Sequence, residues 1–130
     1  MNINNDSTMQ LLRAGLDASA LRGKVIANNM SNINTKEYKR SYVSFEENLK
    51  SEVEKFSLKK TNNKHLNGTL NDSLIDVEVD NSTSMRTDGN NVDLDLEKVD
   101  QAANSLMYNA LITQANSKLN MTKSVISGGN

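Results

Sequence analysis

The sequence predicts a mainly α-helical protein in which two long terminal helices pair as an antiparallel, coiled-coil-like hairpin around a small irregular or β middle segment. Apolar residues recur at alternating spacings of three and four near both ends of the chain, which is the pattern of helices that pack along a seam. The chain has no proline, so no helix interior need be broken by one. It also has only three tyrosines, two phenylalanines and no tryptophan, which favours long, thin elements over a wide core.

The first predicted element is a helix over about residues 7–33, within an N-terminal assembly region at 1–35. Ser7 and Gln10 match a capping box at its start. A helix of this length spans about 40 Å. Small residues in its seam are either a tolerated weak point or a place where another helix approaches closely. The seam consists of Met9, Leu12, Leu16, Ser19, Gly23, Ile26, Met30 and Ile33.

A polar, asparagine-rich corner follows, with a turn predicted near Asn32 to Thr35. It opens a variable middle region at 36–92. There Ser44 and Glu47 form a second capping box, and apolar residues follow at helical spacing. We expect a short amphipathic helix over about 44–57. The apolar residues are Phe45, Leu49, Val53 and Phe56.

A polar loop is predicted over residues 58–73, where no periodic apolar signal occurs. The alternation of Ile75, Val77 and Val79 with acidic residues then predicts a half-buried strand near 74–80. Because a lone strand is not stable, this strand needs a partner. The partner is expected within 58–72, around 82–87, or in another subunit.

The last element is a long helix in the C-terminal assembly region at 93–130. It is predicted to begin at Asp93 or Asp95, where acidic residues complement the helix dipole, and to run to Ser124 or beyond. Gly128 and Gly129 end it. Its apolar stripe moves around the helix, so we expect more than one neighbour and exposed apolar surface that other chains cover. The stripe comprises Leu96, Val99, Ala103, Leu106, Tyr108, Ala110, Ile112, Ala115, Leu119, Thr122 and Ile126.

The sequence indicates no enzymatic chemistry: we predict no catalytic residue, no cofactor, no metal site and no small-molecule substrate. There is no cysteine, and His65 is the only histidine, so a zinc site of the usual composition is excluded. The oxygen-rich run that starts at Asp88 lacks the glycine and the glutamate of a calcium loop at the required positions. A turn followed by a helix N-cap explains it better.

Charge and hydropathy point away from nucleic acid and from membrane insertion. The first 60 residues carry a net charge of +3 and the remaining 70 a net charge of −4, without a clustered basic face. No apolar run approaches the length of a membrane span. The first ten residues lack the basic and apolar regions of a cleavable signal peptide, so any export is expected to leave the chain intact.

Two segments resemble the bacterial flagellar basal-body rod protein family. Residues 27–39 resemble the signature A-N-N-I-A-N-x-x-T-P-G-Y-K of flagellar rod and hook proteins, with matches at Asn28, Asn29, Asn32, Thr35 and Tyr38. Lys36-Glu37 replaces the usual Pro-Gly, so the turn there is not expected to be the one that Pro-Gly favours. A second segment is similar to a proximal rod member of the family. The small size of the chain also fits that member. Its family-motif positions are Asp88, Gly89, Asn90, Asn91, Val92 and Asp93.

The resemblance implies a structural subunit of the proximal rod, exported without a cleaved signal peptide. Such subunits assemble helically through their terminal helices and transmit torque from the membrane ring to the hook. The implied partners are copies of the chain, other rod proteins, the membrane ring and the export apparatus. Another axial rod subunit, or a helical subunit or effector of a different type III secretion system, is the alternative. Residues expected to form the assembly interface are Leu12, Leu16, Ile26, Met30, Ile33, Leu96, Val99, Leu106, Ile112, Leu119 and Ile126.

Overall fold

The fold is a long helical hairpin that carries a short helix and a two-stranded sheet at one end. The structure is a computed structural model that describes residues 7–58, 74–82 and 86–128. It confirms the predicted fold class: the two longest helices lie near the ends of the chain and pack together. In chain order the elements are α1 (Ser7–Ser31), β1 (Ser41–Ser44), α2 (Glu46–Leu58), β2 (Asp76–Val79) and α3 (Leu94–Ile126).

Helices α1 and α3 run antiparallel. Gly15 faces Leu111, Ser19 contacts Asn104, and Asn29 contacts Glu97, so contacts move toward the start of α3 as the chain advances along α1. At a rise of about 1.5 Å per residue, α3 is about 50 Å long and α1 about 37 Å. One face of α3 is therefore covered by α1 while its other faces remain open.

The two helices approach closely where α1 carries small residues. The Ser19 hydroxyl donates to Asn104 Oδ1 at 2.8 Å, and the Asn104 amide donates to the Ser19 carbonyl oxygen at 3.0 Å. A Cβ on Gly15 would lie 3.3 Å from Leu111 Cδ1, which is tighter than ordinary contact. At Gly23 the nearest atom would be 3.5 Å away, an ordinary contact distance. The close approach of α3 thus explains why residue 19 is small. A side chain at position 23 would make only ordinary contacts, so packing does not require a glycine there.

The strand partner lies in a segment that sequence analysis did not assign as a strand. Strand β1 pairs antiparallel with β2, with Ser41 opposite Val79 and Ser44 opposite Asp76. This partner, β1, is none of the three that the sequence suggested, which were 58–72, 82–87 and another subunit. Four residues are too short a segment for a period-of-two pattern to stand out in the sequence.

The prediction that β2 is half-buried was also wrong, since all four of its residues are exposed. Val77 and Val79 keep 43% and 51% of their surface exposed. Val43 of β1, which lies opposite Val77, is buried. The reason is position: β1 packs against α1, whereas β2 forms the outer edge of the sheet.

Helix α2 begins two residues later than predicted. Ser44 is the last residue of β1, and the Phe45 carbonyl oxygen accepts the first helical hydrogen bond, from the Leu49 amide at 2.8 Å. Phe45 is buried with Ala18 and Leu74 in a small core. The short helix thus anchors the middle region on α1.

The ends of the long helices follow the sequence signals. Asp93 is the N-cap of α3, and its carboxylate accepts from the Asp95 and Leu96 amides, as the acidic start predicted. Gly128 follows the helix with a φ of 78°, which is the glycine conformation that ends many helices. Helix α1 ends at Ser31, and the Thr35 amide donates to the Asn32 carbonyl oxygen at 2.9 Å, which confirms the predicted turn.

Some predicted features lie outside the described residues. The polar loop predicted over 58–73 falls there apart from Leu58, which ends α2. His65 and the side chain of Phe56 also lie outside them. Among the described residues, no helix is long and apolar enough to cross a membrane.

Replacing Ser19 by leucine is expected to destabilise the hairpin by about 2–4 kcal/mol. The larger side chain overpacks the contact between the helices, and Asn104 loses a hydrogen-bond partner. Thermal unfolding followed by circular dichroism measures the loss. Ala20→Leu makes a similar enlargement on an exposed position of α1 and should change stability by less than about 0.5 kcal/mol. Equal effects of the two substitutions would contradict close packing at Ser19.

Candidate functional site at the polar corner and the outer face of the C-terminal helix

The two segments that carry the family motif meet in space at one end of the hairpin. We call this site the polar corner and define it by five side chains that join the end of α1, the start of β1 and the start of α3. Hydrogen bonds link these side chains to residues 51 to 68 positions away in sequence. The polar corner consists of Asn29, Arg40, Asn90, Asn91 and Glu97.

Asn29 fixes the start of β1 on α1. Its amide nitrogen donates to the Ser41 carbonyl oxygen at 2.7 Å, and its Oδ1 accepts from the Ser41 amide at 3.0 Å. The same side chain donates to Glu97 at 3.2 Å and accepts from the Tyr38 hydroxyl at 3.2 Å. Asn29 is fully buried. An amide is suited to this position because it donates and accepts at once.

Asn90 satisfies the backbone where the chain leaves α1. Its amide nitrogen lies 2.9 Å from the carbonyl oxygens of both Asn32 and Thr35, and 3.1 Å from that of Ile33. Its Oδ1 accepts from the Val92 amide at 2.8 Å. Carbonyl groups at and just beyond a helix C-terminus lack helical partners. Asn90, which is fully buried, supplies the donor that water cannot.

Asn91 closes the end of the two-stranded sheet. Its Oδ1 accepts from the Arg40 amide at 2.7 Å, and its amide nitrogen donates to the Asp80 carbonyl oxygen at 2.9 Å. The Asp80 amide in turn donates to the Arg40 carbonyl oxygen at 2.8 Å. The side chain therefore bridges the two strands just beyond their last paired residues.

A buried ion pair ties the start of β1 to α3. Arg40 Nε donates to Glu97 Oε1 at 2.5 Å, and Arg40 Nη2 donates to Asp100 Oδ2 at 2.6 Å. Glu97 is fully buried, which is tolerable for a charge only when it is paired. Burial lowers the pKa of Arg40, but the Glu97 hydrogen bond and the nearby carboxylates outweigh it and raise this pKa above its ordinary value. Arg40 therefore stays charged.

Sequence analysis missed this ion pair. The sequence predicted no buried partner for Glu97 and no role for Arg40. The available signal was the seven-residue spacing of Glu97, Asn104 and Leu111, all of which contact α1. A polar residue at that spacing faces the neighbouring helix and needs a buried partner.

Two groups at or next to the sheet have shifted pKa values. The Tyr42 hydroxyl donates to Glu78 Oε2 at 2.8 Å, and this hydrogen bond raises the pKa of Tyr42. Hydrogen bonds from the Ser82 amide and side chain lower the pKa of Asp80. Among the described residues, no group of acidic side chains and histidine could hold a metal ion.

Glu37 adopts a backbone conformation that glycine favours. Its φ is 62°, and it is the only non-glycine residue with a positive φ among the described residues. The Glu37 amide donates to the Asp88 carbonyl oxygen at 2.9 Å, beside Gly89 with a φ of 76°. The turn therefore keeps a left-handed residue at the position of the family glycine, contrary to expectation. The cost is about 1–2 kcal/mol.

The remaining motif positions surround this corner. Val92 is buried and Asp93 caps α3. Asn32 and Thr35 form the turn after α1, and Asn32 also donates to the Asn28 carbonyl oxygen at 2.9 Å. The motif residues thus lie at the ends of elements or in the turns that join them, where backbone groups need partners.

The predicted assembly residues fall into two groups. On α3 the large side chains are well exposed, with Leu106 at 72% and Ile126 at 71%; Leu96, Val99 and Leu119 are also exposed and Ile112 is half-buried. On α1, Leu12, Leu16 and Met30 are half-buried and Ile26 is buried, and Ile33 in the turn after α1 is also half-buried. Ile26 is thus covered inside the chain and offers other copies little surface.

The exposed apolar residues of the first half of α3 form one line, which we call the outer stripe. At about 100° per residue, it lies away from Glu97, Asn104 and Leu111, which contact α1. All of its members are exposed. The outer stripe consists of Leu96, Val99, Ala103, Leu106 and Ala110, at spacings of three and four.

A helical hairpin with a buried asparagine corner and an uncovered apolar stripe on α3 is an architecture suited to a structural subunit. The chain matches no protein-family model. It is 37% identical over 122 residues to the flagellar basal body rod protein FlgB of Bacillus subtilis, covering 94% of this chain and 95% of that protein. It is 36% identical over 105 residues to FlgB of Borreliella burgdorferi, covering 74% and 78%.

A more distant likeness extends over nearly the whole chain. It is 27% identical over 133 residues to FlgB of Salmonella typhimurium, covering 96% of both. The chain belongs to the FlgB family of flagellar basal body rod proteins. As a member of this family it is a structural subunit of the rod, and its location is the flagellar basal body.

Asn29→Asp is expected to destabilise the chain by at least about 3 kcal/mol. The substitution keeps the shape but replaces the donor to Ser41 by an acceptor, and it places a second carboxylate beside buried Glu97. Chemical unfolding measures the change. Asn28→Asp is the matched control because Asn28 is exposed, and it should cost less than about 0.5 kcal/mol. Similar losses in both variants would contradict the role assigned to Asn29.

Glu37→Gly is expected to stabilise the chain by about 1 kcal/mol, because it removes the left-handed strain while losing only an exposed, weak pairing with Lys36. The midpoint of chemical unfolding should rise. Lys36→Gly introduces the same residue next to it, where φ is not positive, and should lower stability by about 0.5–1 kcal/mol. A fall in stability for Glu37→Gly would show that the left-handed residue is not strained.

Proposed function

We propose that this rod subunit assembles helically with its own copies through its terminal helices and transmits torque from the membrane ring to the hook. In this proposal residues 1–35 and 93–130 are the assembly regions, and residues 36–92 are a variable middle region. The observation that carries the proposal is the outer stripe of α3, which stays exposed although another face of the same helix is already packed against α1.

The exposed side chains provide a driving force for assembly. Leu106 is 72% exposed and Val99 is 64% exposed in the single chain. Fully burying one such side chain is worth about 1.5–3 kcal/mol. A contact that is repeated at every copy multiplies this gain along the whole structure. Apolar helix faces of this kind are typical of interfaces between chains.

The geometry supports an open assembly rather than a closed dimer. Contacts between different surfaces of identical copies continue indefinitely when their rotation does not close a ring, and they then produce a helix. Half-buried Leu12, Leu16 and Met30 on α1, half-buried Ile33 just after it, and the exposed residues of α3 provide such different surfaces. We assign both sets to contacts between copies.

The polar corner suits a part that bears torque. Asn29, Asn90 and the Arg40–Glu97 pair connect the end of α1 to β1 and to the start of α3 through buried hydrogen bonds. Close-packed interiors transmit strain instead of yielding to it. We therefore assign the family-motif residues to holding the helices at a fixed angle and not to chemistry.

The partners we propose are copies of the chain and other rod proteins, with the membrane ring and the export apparatus at the inner end. Export would proceed without a cleaved signal peptide. We propose no catalytic role, nucleic-acid partner or small-molecule substrate. This agrees with the relatives, which are named as rod proteins of the basal body.

The double variant Leu106→Asp, Leu119→Asp is expected to abolish rod assembly while the subunit stays folded. Both side chains are more than half exposed, so the free chain should lose less than about 1 kcal/mol. Placing two carboxylates in an apolar contact between copies should prevent the contact. Swimming in a strain that lacks its own copy of the gene, together with electron microscopy of isolated basal bodies, measures the effect.

Ser105→Asp, Asn109→Asp is the matched control, since it adds the same charges at exposed polar positions of α3. It should leave swimming within about twofold of the unsubstituted chain. Normal rods and swimming in the Leu106, Leu119 variant would contradict assembly through α3. The exposed positions are better probes than Ile26, because a charge at that buried residue would unfold the subunit itself.

A further inference from the structure

A groove runs along the hairpin between α1, β1 and α3, next to the outer stripe. Its volume is about 300 Å³. Val25 of α1, Val43 of β1 and Met107 of α3 give it apolar walls. Ala103 belongs to both the groove and the outer stripe, so the groove and the ridge formed by the stripe lie side by side.

The charged groups of the groove already have partners in the same chain. Arg22 Nη2 lies 2.6 Å and 2.9 Å from the two carboxylate oxygens of Glu46. Arg40 is paired with Glu97 and Asp100. An anionic ligand would have to break these pairs, so the groove does not suit one. Apolar surface bordered by polar groups that are already paired is typical of a contact between proteins.

The polar groups of the groove floor are also satisfied. Asn104 and Ser19 exchange two hydrogen bonds across the interface of the two helices. What remains open to an occupant is therefore the apolar surface of Val25, Met107 and Ala103. A volume of this size holds roughly ten waters in the free chain, and apolar side chains that displace poorly held water gain affinity.

We propose that the groove receives the outer stripe of a second copy, with Leu106 of one copy packed against Val25 of the next. This inference rests on the proposed function and names the two surfaces that meet. The members of the stripe are all uncharged, as the neutralised groove requires. Val99 and Leu106 are two helical turns apart, about 10.5 Å, and project as two neighbouring knobs into the groove.

A second copy fits better than a small molecule because the chain itself carries the matching ridge. Leu106 and Val99 are the most exposed large side chains of the stripe. In the groove they would exchange contact with water for contact with apolar walls. The ridge of one copy enters the groove of the next, so the contact can repeat from copy to copy along a helix.

Cysteine pairs test the contact directly, since the chain contains no cysteine of its own. Two single variants, Leu106→Cys and Val25→Cys, are expressed together in a strain without its own copy of the gene. Basal bodies are isolated and oxidised, and cross-linked dimers are identified by mass spectrometry. Ala20→Cys replaces Val25→Cys in the control, because Ala20 is exposed on α1 and does not line the groove.

We expect the Leu106–Val25 pair to give at least tenfold more cross-linked dimer than the Leu106–Ala20 pair. Rods that assemble normally but give equal yields, Leu106–Leu106 dimers alone, or cross-links of Val25 to a different rod protein would overturn this inference and leave helical assembly standing. Absence of this chain from the basal bodies for every variant and for the unsubstituted chain would overturn both. Circular dichroism of each purified variant confirms that the substitutions leave the fold intact.

Discussion

The structure depends on satisfying backbone groups where the chain turns out of α1, at a place that packing closes to water. The carbonyl oxygens beyond the helix end and the backbone of Ser41 both need partners there. The Asn90 side chain donates to the carbonyl oxygens beyond the helix end, and the Asn29 side chain both donates to and accepts from the backbone of Ser41. Buried backbone groups without partners would cost about 1–3 kcal/mol each. Two side-chain amides thereby determine where β1 begins.

The same amides set the relation between the two long helices. Asn29 also donates to Glu97, which holds Arg40 at the start of β1, so one connected set of hydrogen bonds joins α1, β1 and α3. Ser19 and Asn104 hold the helices together farther along. With its inner face fixed in this way, α3 can present its outer stripe only to other molecules. The corner thus determines which face of α3 is available for assembly.

Much of the fold could be predicted from the sequence, because long helices leave a repeated signal. The start of α3 followed from Asp93, and its end followed from Gly128. Strand β1 could not be predicted, since four residues carry too little pattern and the strand is held by the Asn29 side chain and by β2. The strand partner was therefore sought in the wrong segments.

The location of the site could be predicted from the sequence, but the contacts that its residues make could not. The motif residues Asn29 and Asn90 could be located from the resemblance, but their partners lie in other elements and are visible only in three dimensions. The Arg40–Glu97 pair joins residues 57 positions apart, and no periodicity links them. Exposure of the α3 residues likewise depends on which face α1 covers, which is a property of the packed hairpin.

The small size of the core gives assembly a second role. Within the described residues, the main buried cluster contains only Ala18, Phe45 and Leu74, with a few half-buried neighbours. Such a core offers limited hydrophobic stabilisation, whereas α3 keeps many large side chains in water. Contacts that form only in the folded, assembled state stabilise that state by mass action. In the proposed assembly, the hairpin buries against other copies much of the apolar surface that a monomeric protein would bury inside itself, and the stability of the subunit is then coupled to its place in the rod.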